Sequence, residues 1–241
     1  MNRDYRRWYS PSLHREMELL VFGHAGAKVL MIPTRDGRFY EYEDLGIVRA
    51  LADKVEAGQL QLYCVDSLAR ESFYDLQRHP AERIRRHAAF EAYLINEVLP
   101  LMATLNPHDC VIAHGCSLGA FQAASLFFRH PQHFRKLAAF SGRYDLTIEV
   151  EHFSNLFSGY YDEEIYFHTP PHFLPNLEGW QLDLLRQRDI VLTIGNEDPF
   201  LENNLHFSQL LSRKGIAHQL HLWDGRAHRA GAWRRMAAIY I

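Results

Sequence analysis

Ser117 lies between glycines in Gly115-Cys116-Ser117-Leu118-Gly119, and Asp198 and His228 follow it at long range. A serine hydroxyl is a weak nucleophile at neutral pH. It becomes reactive when an imidazole takes its proton and a carboxylate fixes the tautomer and stabilises the imidazolium. The chemistry within reach of such a set is attack on an acyl carbonyl through a covalent intermediate. The pentapeptide suits that role. A Gly-x-Ser-x-Gly turn between a strand and a helix strains the serine backbone and tolerates only tiny side chains two residues either side. The flanks agree: Cys110-Val111-Ile112-Ala113 reads as a buried strand, and residues 120–128 have helical apolar spacing.

In a sheet of this kind the chain order is serine, acid, histidine, each partner on a loop past the C-terminal end of a strand. Asp198 follows the apolar run 190–194, in Gly195-Asn196-Glu197-Asp198-Pro199. Glu197 is its nearest rival, and Asp145 lies one strand earlier. His228 follows the strand ending at Trp223, in Asp224-Gly225-Arg226-Ala227-His228. There Asp224 reads as a cap for the turn to Gly225. His218 and His221 read as half-buried members of the strand. A tetrahedral oxyanion also needs donors. The Leu118 N–H, at a helix start, is one candidate. The other belongs to Thr34-Arg35-Asp36-Gly37, where Arg35 is favoured, Thr34 is the alternative, and Asp36-Gly37 reads as a turn.

The elements that must position these residues alternate between strand and helix. That alternation predicts an α/β fold, a mostly parallel sheet with helices on both faces, in one domain over 1–241. Residues 17–22 and 28–33 read as an opening hairpin around His24-Ala25-Gly26, and 43–58 as one helix closed by Gly58. Strand 60–66 and a long helix 81–99, stopped by Pro100, come next. Strands 136–142, 189–195 and 218–223 and a closing helix 232–241 complete the pattern. The segment 146–188 departs from it, with eight aromatic residues among Pro170, Pro171 and Pro175. It reads as an insertion lying over the mouth of the sheet, or as a loop that its rings staple to the body.

Composition narrows the function. The chain is 47% apolar with a net charge of −3, and no basic stripe alternates with aromatics, so no nucleic-acid partner is expected. The run Arg83-Ile84-Arg85-Arg86-His87 reads as a solvated helix face. No secretory signal and no membrane-length run are recognised, so no membrane partner is expected. Three cysteines without ligand spacing fit a reducing, cytoplasmic setting, with Cys116 a small buried filler. Among fifteen histidines the nearest to a ligand pair is His168 and His172, and the intervening prolines forbid the helix that would align them. No metal or cofactor is expected. The expected partner is a small-molecule ester, and self-association into a homo-oligomer is compatible with the sequence.

With these residues in place, the chain resembles the Putative esterase branch of the α/β-hydrolases. That branch includes S-formylglutathione hydrolase (esterase D), the enterochelin esterases and the mycolyl-transferase antigens. The resemblance runs from Trp8-Tyr9-Ser10-Pro11 through Phe140-Ser141-Gly142-Arg143-Tyr144-Asp145 and Gly159-Tyr160-Tyr161-Asp162 to Trp223-Asp224-Gly225-Arg226-Ala227-His228. It implies a serine carboxylesterase with nucleophile Ser117, acid Asp198, base His228 and an oxyanion residue near Arg35. Acyl transfer on the same residues, and a non-catalytic binding protein on the same fold, are the alternatives. Two departures bear on the pocket rather than the chemistry. Ala230 and Gly231 replace an aromatic continuation of the histidine motif, and the early loop lacks a His-Gly or Ser-Gly pair.

Overall fold

Residues 60–65 and 111–116 are buried throughout, as strands of a parallel sheet covered on both faces must be. The computed structural model describes residues 1–35 and 37–241; Asp36, assigned above to a turn with Gly37, lies outside the described residues. Eight strands are present among the described residues: β1 (Arg3–Ser10), β2 (Arg15–Phe22), β3 (Ala27–Ile32), β4 (Leu60–Val65), β5 (Val111–Cys116), β6 (Lys136–Phe140), β7 (Asp189–Gly195) and β8 (Gln219–Trp223). They form one sheet in the order β1-β2-β4-β3-β5-β6-β7-β8. From β4 to β8 the pairing is parallel; β1 and β2 are antiparallel additions at one edge. The period-two alternation of a strand divides the core in two. Along β3, Leu30 and Ile32 face the core under helices Pro80–Leu105 and Leu118–Arg129. Val29 and Met31 face a second core with Tyr42, Trp233 and Met236.

Several expectations need correcting. The opening hairpin is β1–β2, because β4 inserts between β2 and β3. β1 carries Arg3, Asp4, Arg6 and Arg7 on an exposed edge. Such charge discourages edge-to-edge pairing, and it also removes the apolar signal by which a strand is recognised. The 43–58 helix is three short helices, Glu41–Asp44, Ile47–Ala50 and Ala52–Glu56, broken where Gly46 adopts φ 71°.

Pro100 does not stop the long helix, which runs 26 residues from Pro80 to Leu105. Proline removes one N–H from the ladder, and the preceding turn, Leu94–Val98, widens to a π-turn that accommodates the gap. By length and composition this one helix could cross a bilayer. Here Phe90, Leu94, Val98 and Met102 pack it against the sheet. Its start is a solvated face only in part, with Arg85 exposed and Arg86 half-buried. Arg83 and His87 are buried, and Arg83 Nη1 donates to the Phe73 and Leu156 carbonyls at 3.1 and 2.8 Å.

The 146–188 segment divides in two. Its second half forms helices Glu163–His168, Pro170–Phe173 and Gly179–Leu185. Phe173, Leu174, Leu182 and Leu185 join the core on the Pro80–Leu105 side. The first half remains irregular and reaches the mouth of the sheet, as described below.

Candidate active site

β5 ends in a sharp turn at Ser117 (φ 56°, ψ −120°), and the helix Leu118–Arg129 starts on the next residue. This is a region an L-residue occupies only when its surroundings impose it. The two glycines show how tightly they do. A Cβ on Gly115 would stand 2.1 Å from the Gly119 carbonyl, and one on Gly119 would stand 2.2 Å from the Ile32 oxygen. Strand, turn, helix and the end of β3 are therefore in backbone contact. The Ser117 N–H donates to the Phe140 carbonyl at 2.9 Å, which ties the turn to β6.

Past β7, Asp198 is buried, with its side chain fully shielded from solvent. Its Oδ1 accepts the Phe200 N–H at 3.0 Å and its Oδ2 lies 2.9 Å from His228 Nδ1. A carboxylate only accepts, so Nδ1 carries the proton and Nε2 is left as the acceptor. Nε2 lies 2.9 Å from Ser117 Oγ. The three residues thus form one hydrogen-bonded chain with the imidazole oriented toward the serine. Gly195 lets the two partner loops meet: a Cβ there would stand 2.2 Å from the Arg226 oxygen. The His228 ring packs edge-on against Trp233 at 5.4 Å, so aromatic support comes from the C-terminal helix Ala230–Tyr240.

The rivals go elsewhere. Glu197 is exposed. Asp145 pairs with His172 at 3.0 Å and with Thr147, away from His228. Gly225 N–H is capped by Asn196 Oδ1 at 2.8 Å rather than by Asp224. His218 bonds Ser208 at 2.6 Å, and His221 stacks on Tyr240 at 4.5 Å. His168 and His172 turn to different partners, Glu164 and Asp145. Burial pushes the Cys116 thiol well above its ordinary value, as suits a filler rather than a thiolate.

The Leu118 N–H lies in the first turn of its helix, where no intrahelical acceptor exists. In the early loop, Thr34 N–H and Oγ both bond the Glu41 carboxylate, at 2.7 and 2.5 Å. Arg35 lines the same cavity as Ser117 and Leu118, with its guanidinium 4.4 Å from the Tyr74 ring centre. Two supports carry no motif and were missed by sequence reasoning. Glu41 holds the loop, and Tyr42, fully buried, donates its hydroxyl proton to the Ile32 carbonyl at 2.8 Å while accepting the Cys116 N–H at 3.1 Å.

The cavity over Ser117 has a volume of about 880 Å³. Of the eight aromatic residues in the insertion only Phe153 lines it, joined by Tyr74 and Phe200 from outside. Phe157 is instead buried against Phe73. Trp180 is exposed.

A mostly parallel, doubly covered sheet with a strained serine elbow and its partners on later loops defines an α/β-hydrolase fold. The chain belongs to the esterase family described as "Putative esterase", which matches residues 10–235. It is thus an esterase-family hydrolase. Among solved structures it is similar to an S-formylglutathione hydrolase from Agrobacterium tumefaciens (TM-score 0.76, 15% identity, 98% of this chain and 91% of that one). It is also similar to a fluorophosphonate-binding serine hydrolase from Staphylococcus aureus (TM-score 0.69, 14% identity, 98% and 95%). A ferulic acid esterase is a third (TM-score 0.74, 15% identity, 97% and 94%). No curated protein matches it in sequence.

Proposed function

We propose that the protein is a serine carboxylesterase acting on small esters through an acyl-enzyme. The observation that carries this reading is the chain of two 2.9 Å hydrogen bonds from Ser117 through His228 to Asp198, set on a strained elbow. Ser117 Oγ attacks the ester carbonyl while His228 Nε2 takes its proton. Asp198 holds the imidazolium in place, and the Leu118 and Arg35 N–H groups receive the developing oxyanion. The tetrahedral intermediate collapses, His228 returns the proton to the leaving alcohol, and water activated by the same imidazole releases the acid. Neither strain nor tautomer has to be arranged at the moment of reaction, since both are present in the resting site.

The test pairs a fluorophosphonate label with a series of 4-nitrophenyl esters from acetate to octanoate. Labelling should map to Ser117, and Ser117→Ala should abolish both labelling and turnover while leaving the fold intact. An adduct on another residue, or turnover that survives the substitution, would refute the assignment.

A further inference from the structure

Three arginines, Arg35, Arg143 and Arg226, line the cavity over Ser117, and no aspartate or glutamate among the described residues does. The chain as a whole is acidic, with a net charge of −3, so this is a local concentration of positive charge. Arg143 is the most telling of the three. It is 7% exposed and has no carboxylate within ion-pair distance among the described residues. Its Nε and Nη2 donate to the Asp145, Ile148 and Ser154 carbonyls, which fixes the first half of the insertion. Its Nη1 makes no hydrogen bond among the described residues. The adjacent Asp145 carboxylate is committed to His172 and Thr147. Burial lowers the guanidinium from its ordinary range, an effect the nearby Asp145 charge only partly offsets, and the group lies 5.7 Å from the Phe200 ring centre. With Nη1 left to donate, the group can still receive an anion that enters the cavity.

Arg226 stands in the histidine loop, is exposed, and forms no ion pair among the described residues. The helix that begins at Leu118 adds the positive end of its dipole to the same space. Hydrophobic contact comes from Phe153, Phe200 and Tyr74. The cavity therefore offers apolar walls with cationic groups spaced around them. That combination matches an ester whose body is apolar and which carries a separate negative charge.

Resting on the esterase reading, we propose that the substrate is an anionic ester, one bearing a carboxylate or phosphate that the arginines of this cavity receive. Guanidinium groups bind such anions through paired, charge-assisted hydrogen bonds. The anion contributes binding and orientation; the bonds made and broken remain those of ester hydrolysis.

Two matched pairs of esters test it and separate the two sides of the substrate. On the acyl side, 4-nitrophenyl hemiadipate is compared with 4-nitrophenyl hexanoate. On the alcohol side, 4-acetoxybenzoate is compared with 4-acetoxybenzamide. In one pair at least, kcat/KM for the anionic member should exceed that of its neutral partner by about tenfold or more, mainly through KM. Arg226→Gln should reduce that ratio by about threefold or more, and Arg226→Glu should reduce it further. Hydrolysis of the neutral esters with no anionic preference in either pair would overturn this proposal and leave the esterase reading standing. A preference undiminished in both Arg226 variants would also overturn it. If no ester of either kind were hydrolysed and Ser117 took no fluorophosphonate, the esterase reading would fail and this proposal with it.

Discussion

Replacing Gly119 with alanine adds one methyl group where the structure has no room for it. The new Cβ would lie 2.2 Å from the Ile32 oxygen and 2.5 Å from the Pro33 oxygen. Ordinary contact starts near 3.4 Å, so the elbow helix and the end of β3 must separate by about 1 Å. Both neighbours are backbone atoms, and neither can swing aside as a side chain would. The gap opens between Leu118, which follows the serine, and the loop that carries Arg35, so the two proposed oxyanion donors would move apart. A misplacement of that size costs roughly a hundredfold in rate when it falls on catalytic geometry, and overpacking costs about 1–3 kcal/mol in stability. Gly119→Ala should therefore remain folded but lose about 100-fold in kcat, with KM for a neutral 4-nitrophenyl ester much less affected. The assay is steady-state hydrolysis alongside a urea melt, so that unfolding and misalignment are separated. Wild-type kcat in a folded Gly119→Ala protein would refute the claim that this backbone contact sets the oxyanion geometry.

Asp198→Asn should lower kcat by about a thousandfold or more by removing the charged partner of His228, whereas Glu197→Gln, at an exposed site, should do little. Acid should destabilise the fold through His87 and His114, which burial pushes down to about 3 and about 4. Below pH ~6.5 the unfolded chain takes up protons that the native state refuses, so stability falls by up to about 1.4 kcal/mol per pH unit for each histidine until the native values are reached. Urea melts at pH 7 and pH 5 check the sign, and equal midpoints would contradict it.

How far the sequence led depends on the kind of signal each residue carries. Ser117, Asp198 and His228 were legible because chain order and position past a strand are linear properties, and the structure places them in one hydrogen-bonded chain. Arg35 was favoured over Thr34, but that Glu41 occupies the Thr34 N–H and hydroxyl was not legible, since Glu41 has no signal that marks it as their partner. The parallel strands β3 to β7 were visible as apolar runs. β1 was not, because its charged edge alternates without an apolar face. The mistaken hairpin has the same origin: proximity in sequence suggested β2 with β3, while pairing was decided by burial of β4 between them.

The insertion shows why composition alone could not assign a pocket wall. Its aromatic residues look alike in sequence, yet Phe153 reaches the cavity, Phe157 and Phe173 fill core, and Tyr161, Phe167 and Trp180 stay exposed. What holds its first half over the serine is Arg143, working through backbone carbonyls, together with Arg83 from the long helix at the Leu156 carbonyl. Each of these guanidinium groups donates to main-chain oxygens and so demands no particular side chain on the loop. The wall can therefore vary in sequence while its anchors stay fixed. Under the anionic-ester proposal, specificity in this site would follow the arginines that line the cavity more than the ring-rich loop.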